Sequence, residues 1–200
     1  MSNAALDTKP PSGLPVRMIR PNLDDLPQWP LPDGYYMRAM RADEGAVWEE
    51  AWRASEPYEQ IQPGLFASQF GSDPAEIELR CFFLIAPDGG VAGTISGWQS
   101  DLPDGLHYGQ IHWVALLPAH RGRGLVKPLM AHAMNFLATR HERCFLDTAT
   151  RRLPAIKVYL DFGFVPDMTF KDAEQAWALV QSNLAHPALG GGGEAAPGNA

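Results

Sequence analysis

Residues 114–130, VALLPAHRGRGLVKPLM, join an apolar run to a helical pattern through the sequence Arg-Gly-Arg-Gly. The first N–H groups of a helix have no acceptor within the helix, and the helix dipole places partial positive charge there. Glycine lets the backbone adopt unusual dihedral angles and approach a ligand closely. Pro128 has no N–H and clashes with the carbonyl four residues before it, so a regular helix should not begin much before Leu125. The stretch therefore predicts a loop of free amides, flanked by Arg121 and Arg123, that binds a phosphate.

An exposed basic turn is the other interpretation of such a glycine-arginine loop. The context favours a phosphate site, because a long apolar strand precedes the loop and an amphipathic helix follows it. Residues 121–157 contain eight Lys or Arg and two acids, which gives +6, while the rest of the chain contains eight bases and 21 acids, which gives −13. Because the net charge of −7 disfavours a long polyanion, a small anion is expected and nucleic acid is not.

Length and composition exclude several other classes of protein. The 200 residues suit one domain, and a hydrophobic content of 46% is enough for a core. No run of 18 uncharged apolar residues occurs, so no membrane span is expected. The N-terminus lacks the apolar centre of a secretory signal, so no such signal is expected there. Cys81 and Cys144 lie in apolar runs and are expected to be small buried residues. With no CxxC and no clustered histidines, no metal site is expected, and a cytoplasmic location is favoured.

The ends of the chain differ in composition from its centre. Residues 1–33 contain seven prolines and predict an irregular arm, and residues 187–200 predict a flexible glycine-rich tail. Residues 34–186 are expected to form one domain, in which 56–72 is a loop. Hairpins followed by strand–helix–strand units predict a mixed α/β or α+β sheet. The expected strands are 35–40, 81–86, 91–98, 107–117, 143–150 and 164–165, and the expected helices are 43–55, a short one from Asp73, one from the glycines to about 140, 155–162 and 174–185.

The phosphate-loop segment resembles the acyl-coenzyme A binding motif of the GCN5-related N-acetyltransferase (GNAT) superfamily, Arg/Gln-x-x-Gly-x-Gly/Ala after a strand. Arg121, Gly124 and Val126 fall on its three key positions, although Val126 is larger than the expected residue. A second stretch, LPAIKVYLDFGFVP at 153–166, resembles the closing helix and strand of that fold. Its residues in register are Ala155, Tyr159, Gly163 and Phe164, and Arg152 stands where Asn is usual. The resemblance implies a mostly antiparallel mixed sheet flanked by helices, with a splayed central pair of strands.

The resemblance also implies an activity, the transfer of an acetyl group from acetyl-coenzyme A to a primary amine of a small molecule or an exposed protein amine. A homodimer is compatible with this activity. In the family, the backbone at the end of the preceding strand binds the pantetheine arm, and an amide there polarises the acyl carbonyl. The matching residues are Val114, Ala115 and Leu116, and those matching the pyrophosphate loop are Arg121, Gly122, Arg123, Gly124, Leu125 and Val126.

Tyr159 matches the position of the general acid in the family. A phenol has a reference pKa near 10, so it is protonated at neutral pH and can donate to a thiolate. The alternative is a tyrosine that packs on a helix face with its hydroxyl at the surface. The register of Ala155 and Gly163 favours the catalytic interpretation.

The general base is less well defined. His112 lies four residues before Leu116, where some relatives carry a catalytic histidine, and an imidazole of pKa near 6.5 suits proton transfer at pH 7. A hydrogen-bonded histidine within a sheet is an equal alternative. The side chain of Gln110 cannot titrate. Because side chains alternate between the two faces of a strand, Gln110 is expected on the same face as His112, Val114 and Leu116. Glu76 and Glu78 are further candidates for the base, although a solvated acidic turn of a helix is the more usual interpretation of these two residues.

Residues 43–78 correspond to the region that lines the acceptor pocket in relatives. They contain nine acids, one base (Arg53) and the aromatic residues Trp48, Trp52, Tyr58, Phe66 and Phe70. Acids with aromatics would suit a cationic amine. Solvated helix faces and core packing are the more usual interpretation. Because Gln110 and Arg152 depart from the family pattern, a non-catalytic acyl-coenzyme A binding module is the alternative function.

Overall fold

The structure is a computed structural model that describes residues 13–190. Seven strands form one sheet in the order β2-β3-β4-β5-β6-β1-β7. The strands are β1 (Pro15–Arg20), β2 (Tyr36–Ala39), β3 (Cys81–Ile85), β4 (Val91–Asp101), β5 (His107–Leu116), β6 (Cys144–Ala149) and β7 (Val165–Pro166). The helices are α1 (Gly45–Ser55), α2 (Leu65–Phe70), α3 (Pro74–Arg80), α4 (Val126–Ala138), α5 (Leu153–Asp161) and α6 (Ala173–Asn183). None of the helices between residues 13 and 190 is long and apolar enough to cross a lipid bilayer.

The sheet is mostly antiparallel. Strand β3 pairs in antiparallel fashion with β2 and β4, and β1 does so with β6 and β7. Strands β5 and β6 are parallel, with Gly109 opposite Cys144 and Gln110 opposite Phe145. Parallel neighbours need a crossover connection, which α4 supplies. The predicted fold class, a mixed and mostly antiparallel sheet flanked by helices, is confirmed, whereas the splay of the central pair stays a prediction.

The described chain divides into two compact units. The first contains Leu31–Ser96 and Trp113–Leu125, and the second contains Leu14–Pro30, Gly97–His112 and the chain from Val126 onwards. Strands β4 and β5 contribute residues to both. The predicted domain limits at residues 34 and 186 stay predictions.

An aromatic cluster forms the core of the first unit. Trp48 and Trp52 lie one turn apart on α1, Phe66 and Phe70 lie one turn apart on α2, and all four are buried. The ring of Trp48 meets the rings of Phe66 and Phe70 edge to face, with centroid distances of 5.4 and 5.5 Å, and it lies 5.1 Å from the ring of Trp113. Edge-to-face pairs of this kind add about 0.5–1.5 kcal/mol each to the effect of burial. The core interpretation of these four aromatic residues is therefore confirmed.

The two cysteines are buried and free, as the sequence predicts for small hydrophobic residues. Burial raises the pKa of the Cys81 thiol to about 11. Burial also raises the pKa of the Cys144 thiol. Both side chains are therefore protonated thiols at neutral pH, and neither has the character of a nucleophile.

The prediction of an irregular arm over residues 1–33 is wrong for Pro15–Arg20, which form β1. This strand pairs with β6 from Pro15 opposite Ala149 to Arg20 opposite Cys144. The short run PVRMIR lies among prolines, and its partner is more than 120 residues away, so no local pattern indicates the pairing. Residues 1–12 of the arm and residues 191–200 of the predicted tail lie outside the described residues.

Two further differences concern the first helices. Residues 56–72 are not all loop, because Leu65–Phe70 form α2 between Gly64 and Gly71. This six-residue helix depends on the packing of its aromatic residues against α1, which the local sequence does not show. Asp43 lies in a short 3-10 turn, and α1 begins at Gly45. By contrast, the short helix expected from Asp73 is present as α3, and the Asp73 carboxylate caps it by accepting the N–H of Ala75 at 2.9 Å.

Candidate active site

The glycine-arginine loop has the backbone that the sequence predicts for a phosphate site. Gly122 and Gly124 have φ values of +73° and +74°, and a Cβ at either position would meet no atom within 4 Å. The N–H of Arg121 donates to Pro118 O at 3.3 Å. Within the described residues 13–190, the N–H groups of Gly122, Arg123, Gly124 and Leu125 have no protein acceptor. The loop therefore presents four consecutive donors beside open space, and α4 begins at the next residue.

The two arginines of the loop differ in what they contact. The guanidinium of Arg121 donates to two backbone carbonyls, to Leu116 O at 3.1 Å and to Ser55 O at 2.7 Å. Ser55 is the last residue of α1, so the cation lies at the negative end of that helix dipole. Arg121 thus fastens the loop to the end of β5 and to α1. The exposed guanidinium of Arg123 donates instead to the hydroxyl of Tyr35 at 3.3 Å.

Trp113 interrupts the extended backbone of β5 directly before the residues expected to bind the pantetheine arm. Its φ is +51°, a conformation that is uncommon for a bulky side chain. Several contacts hold it there: its carbonyl accepts the hydroxyl of Thr94 at 3.1 Å, its indole N–H donates to Gln69 at 3.1 Å, and its ring lies 4.7 Å from that of Trp52. Strained residues of this kind cluster at functional sites. The predicted common face of Gln110, His112, Val114 and Leu116 assumed that the backbone is extended throughout. Trp113 interrupts that extended backbone, so the common face stays a prediction.

The candidate base, His112, lies next to Gln110 in the second unit. The Nδ1 atom of His112 lies 3.3 Å from the side-chain nitrogen of Gln110. Burial lowers the pKa of His112 to about 4, and the charge of Asp147 opposes this shift only in part. The imidazole is therefore neutral at pH 7 and a weaker base than the reference value near 6.5 implies. Its role as the base stays a prediction.

The candidate acid, Tyr159, is buried on α5 with 8% of its surface exposed. Burial raises the pKa of Tyr159 to about 12, and the charge of Arg152 opposes this shift. The phenol is therefore protonated throughout the neutral and mildly alkaline range, which is the state that a proton donor needs. Its catalytic role stays a prediction.

The end of α5 fixes the position of this tyrosine. The N–H of Phe164 donates to Tyr159 O at 3.1 Å, and the N–H of Gly163 donates to Leu160 O at 2.9 Å. These are the two bonds of a Schellman motif, in which the residue after the helix cap adopts a left-handed conformation. Gly163 has a φ of +76°, and the ring of Phe164 lies 6.2 Å from that of Tyr159. The predicted C-cap role of Gly163 is confirmed.

Replacing Gly163 by Ala should lower the melting temperature more than the same change at Gly64, which lies directly before α2 in a left-handed conformation. Both glycines have positive φ, at +76° and +83°, so both substitutions carry about 1–2 kcal/mol of backbone strain. A Cβ at position 163 would also lie 2.7 Å from Nη1 of Arg20, whereas one at position 64 meets no atom within 4 Å. Arg20 cannot yield easily, because its guanidinium also binds the carbonyls of Phe162, Asn22 and Asp24.

Thermal unfolding followed by circular dichroism measures the difference between the two variants. Gly64→Ala should lower the melting temperature by about 2–4 °C per kcal/mol of strain, and Gly163→Ala should lower it by about twice as much as Gly64→Ala. Equal shifts for the two variants would contradict the importance of the Arg20 contact.

The acids of residues 43–78 mostly bind groups of the protein. Glu44 is buried, and its hydrogen bonds with Arg38, together with the N–H of Arg41, hold the pKa of its carboxyl below the usual range. Glu49 accepts the N–H of Phe66 at 3.0 Å, and Glu76 pairs with Arg80. These contacts support the structural interpretation of these acids, and an acceptor pocket in this region stays a prediction.

The chain matches the sequence model of the acetyltransferase (GNAT) family over residues 37–164. Streptothricin acetyltransferase from Streptomyces lavendulae is 29% identical over 99 residues, which cover 47% of this chain and 49% of that protein. Mycothiol acetyltransferase from Nocardioides sp. is 29% identical over 170 residues, which cover 74% of this chain and 55% of that protein. The chain therefore spans about half the length of the curated relatives it matches.

A solved structure shares the fold of this chain. A GCN5-related N-acetyltransferase from Sphaerobacter thermophilus superposes with a TM-score of 0.60 at 21% sequence identity, over 78% of this chain and 49% of that one. At this identity the likeness shows the fold alone. The family match covers more than half of the chain and includes both the glycine-arginine loop and the Tyr159 helix. The chain therefore belongs to the acetyltransferase (GNAT) family.

Proposed function

We propose that this protein transfers an acetyl group from acetyl-coenzyme A to a primary amine. The observation that carries the proposal is the loop Gly122–Leu125, with its four N–H groups that lack a protein acceptor within the described residues. Its two glycines at positive φ leave open space where a side chain would otherwise lie. A diphosphate offers several oxygen acceptors and negative charge, which suit such donors at the start of a helix. These residues therefore fit the pyrophosphate of coenzyme A.

The remaining roles follow from the chemistry of acyl transfer. Acetyl-coenzyme A supplies an acetyl group activated as a thioester. The backbone of Val114 and Ala115 would align the pantetheine arm, and the amide of Leu116 would polarise the acyl carbonyl. As the C–N bond forms and the C–S bond breaks, His112 would accept a proton from the amine, and Tyr159 would donate its phenolic proton to the sulfur.

The acceptor is proposed at the level of its chemical class. The curated relatives are named for streptothricin and for mycothiol, so the names agree on acetyl transfer and differ in what is acetylated. They support a primary amine of a small molecule, or an exposed protein amine, without favouring one compound.

A non-catalytic acyl-coenzyme A binding module is the second candidate function. Its supporting observation is His112, because a pKa of about 4 makes this imidazole a weak base at neutral pH. Arg152 precedes the Tyr159 helix where the family usually has Asn, and this departure from the family pattern also favours a binding module. Both functions require the glycine-arginine loop, so they differ in turnover and not in binding.

Incubation with acetyl-coenzyme A and a panel of amines separates the two functions. Small primary amines, polyamines and peptides with free amino groups form the panel, and release of the free thiol is the readout. Turnover with at least one amine above the rate without an amine is the expected result. Binding of acetyl-coenzyme A with no thiol release across the whole panel would favour the binding module, and an absence of binding would contradict both.

A further inference from the structure

A turn in the first unit aims Tyr35 at the glycine-arginine loop. The N–H of Tyr35 donates to Pro32 O at 3.1 Å, and Gly34 has a φ of +80°, as expected for the third residue of a type II turn. A Cβ at Gly34 would lie 2.8 Å from a side-chain carbon of Pro87, so this turn packs closely against the β3–β4 turn. The sequence Pro-Asp-Gly-Tyr thus places the phenol in a defined position.

The hydroxyl of Tyr35 connects two side chains of the loop region. It lies 3.0 Å from Nδ1 of His120 and accepts an N–H of Arg123 at 3.3 Å. The rings of Tyr35 and His120 meet edge to face, with centroids 5.8 Å apart. Arginine can only donate, so the tyrosine oxygen is the acceptor in that bond, and its hydrogen is then available to the histidine nitrogen. The contact with His120 therefore fixes the hydroxyl of Tyr35, and this hydroxyl orients the guanidinium of Arg123.

Of the two arginines in the loop, Arg123 is the one whose charge is available to a ligand. The guanidinium of Arg121 binds the carbonyls of Leu116 and Ser55. Within residues 13–190, the guanidinium of Arg123 uses one of its five N–H donors, in its hydrogen bond to the hydroxyl of Tyr35. An exposed arginine normally samples many rotamers, and fixing one of them lowers the cost of binding an anion.

We infer that Tyr35 is a positioning residue, which pairs with His120 and holds the guanidinium of Arg123 at the edge of the Gly122–Leu125 loop so that this cation meets a phosphate of coenzyme A. This inference rests on the proposed function, because it assumes that coenzyme A is the ligand of the loop. Tyr35 lies outside the glycine-arginine motif and acts through Arg123 and not by direct contact with the reacting atoms.

A double-mutant cycle on the dissociation constant of coenzyme A, measured by isothermal titration calorimetry, tests the inference. Tyr35→Phe removes only the hydroxyl and should raise the dissociation constant about three- to tenfold, the usual effect of one hydrogen bond. Once Arg123→Gln is present, adding Tyr35→Phe should change the constant by less than about twofold, since Tyr35 acts through Arg123. Tyr36→Phe is the matched control, because Tyr36 is 52% exposed on β2, and it should bind as the wild type does.

Turnover gives a second readout. With any amine that supports the reaction, Tyr35→Phe should raise KM for acetyl-coenzyme A and change kcat by less than about twofold, because it removes binding common to the ground and transition states. Unchanged affinity in Tyr35→Phe, or effects of Tyr35→Phe and Arg123→Gln that multiply in the double variant, would overturn the inference and leave the proposed function intact. Failure of the wild-type protein to bind coenzyme A would overturn both.

Discussion

Replacing Gly124 by Glu should abolish the rise in melting temperature that acetyl-coenzyme A produces in the wild-type protein. Gly124 has a φ of +74°, and the space that its Cβ would enter is open. The new side chain would occupy the space proposed for the pyrophosphate, and its charge would repel the phosphates. A ligand present at 100 times its dissociation constant stabilises the folded state by about 2.7 kcal/mol, and this contribution is the one that should disappear.

Gly105→Glu is the matched control for this experiment. Gly105 also has a positive φ, +78°, and open space around its Cβ, but it lies in the turn between β4 and β5. The two variants therefore share the backbone strain and the added charge. The control should keep the full rise with acetyl-coenzyme A. A normal rise in the Gly124→Glu variant would show that the loop does not bind the cofactor.

Replacing Tyr159 by Phe should lower kcat by about 100-fold, the lower end of the usual contribution of a general acid. The dissociation constant of coenzyme A should not change, because the ring remains in place beside Phe164. Burial raises the pKa of Tyr159 to about 12, so the phenol stays protonated below that pH. The wild-type kcat should therefore show no fall due to this group below about pH 10. Steady-state kinetics between about pH 6 and pH 10 measures both effects.

Tyr108→Phe is the control for the loss of the hydroxyl from a buried tyrosine ring. Tyr108 is 5% exposed, and its hydroxyl donates to Asp104 at 2.8 Å in the β4–β5 hairpin. This variant should retain the wild-type kcat even if its stability falls. A Tyr159→Phe variant with the wild-type rate would exclude Tyr159 as the general acid, and equal losses in the two variants would indicate a structural effect.

The glycine-arginine loop shows how far local sequence can predict this site. Pro128 limits where α4 can begin, and α4 begins at Val126. The positive φ values of Gly122 and Gly124 lie where the sequence placed the unusual backbone. The C-cap at Gly163 was predictable for the same reason. In each case the backbone conformation depends on residues within one or two turns of the chain.

Other features of the candidate site depend on partners distant in the chain. The contact of Tyr35 with His120 joins residues 85 positions apart, and that of Arg121 with Ser55 joins residues 66 positions apart. Only the Pro-Asp-Gly turn before Tyr35 could have drawn attention to this residue, and a turn in the sequence does not indicate which distant residue the tyrosine contacts. The low pKa of His112 likewise follows from burial, which the local sequence does not show.

By itself, the sequence determined the phosphate-loop backbone, most of the strands and helices, and the family resemblance, because glycine, proline and the apolar period constrain the nearby chain directly. Only the tertiary structure decided that Pro15–Arg20 joins the sheet, that Arg121 binds carbonyls while Arg123 remains available, and that Trp113 adopts a positive φ. The physical reason is that these features arise from packing and hydrogen bonds between distant segments, whose energies outweigh the weak local preferences of the residues involved.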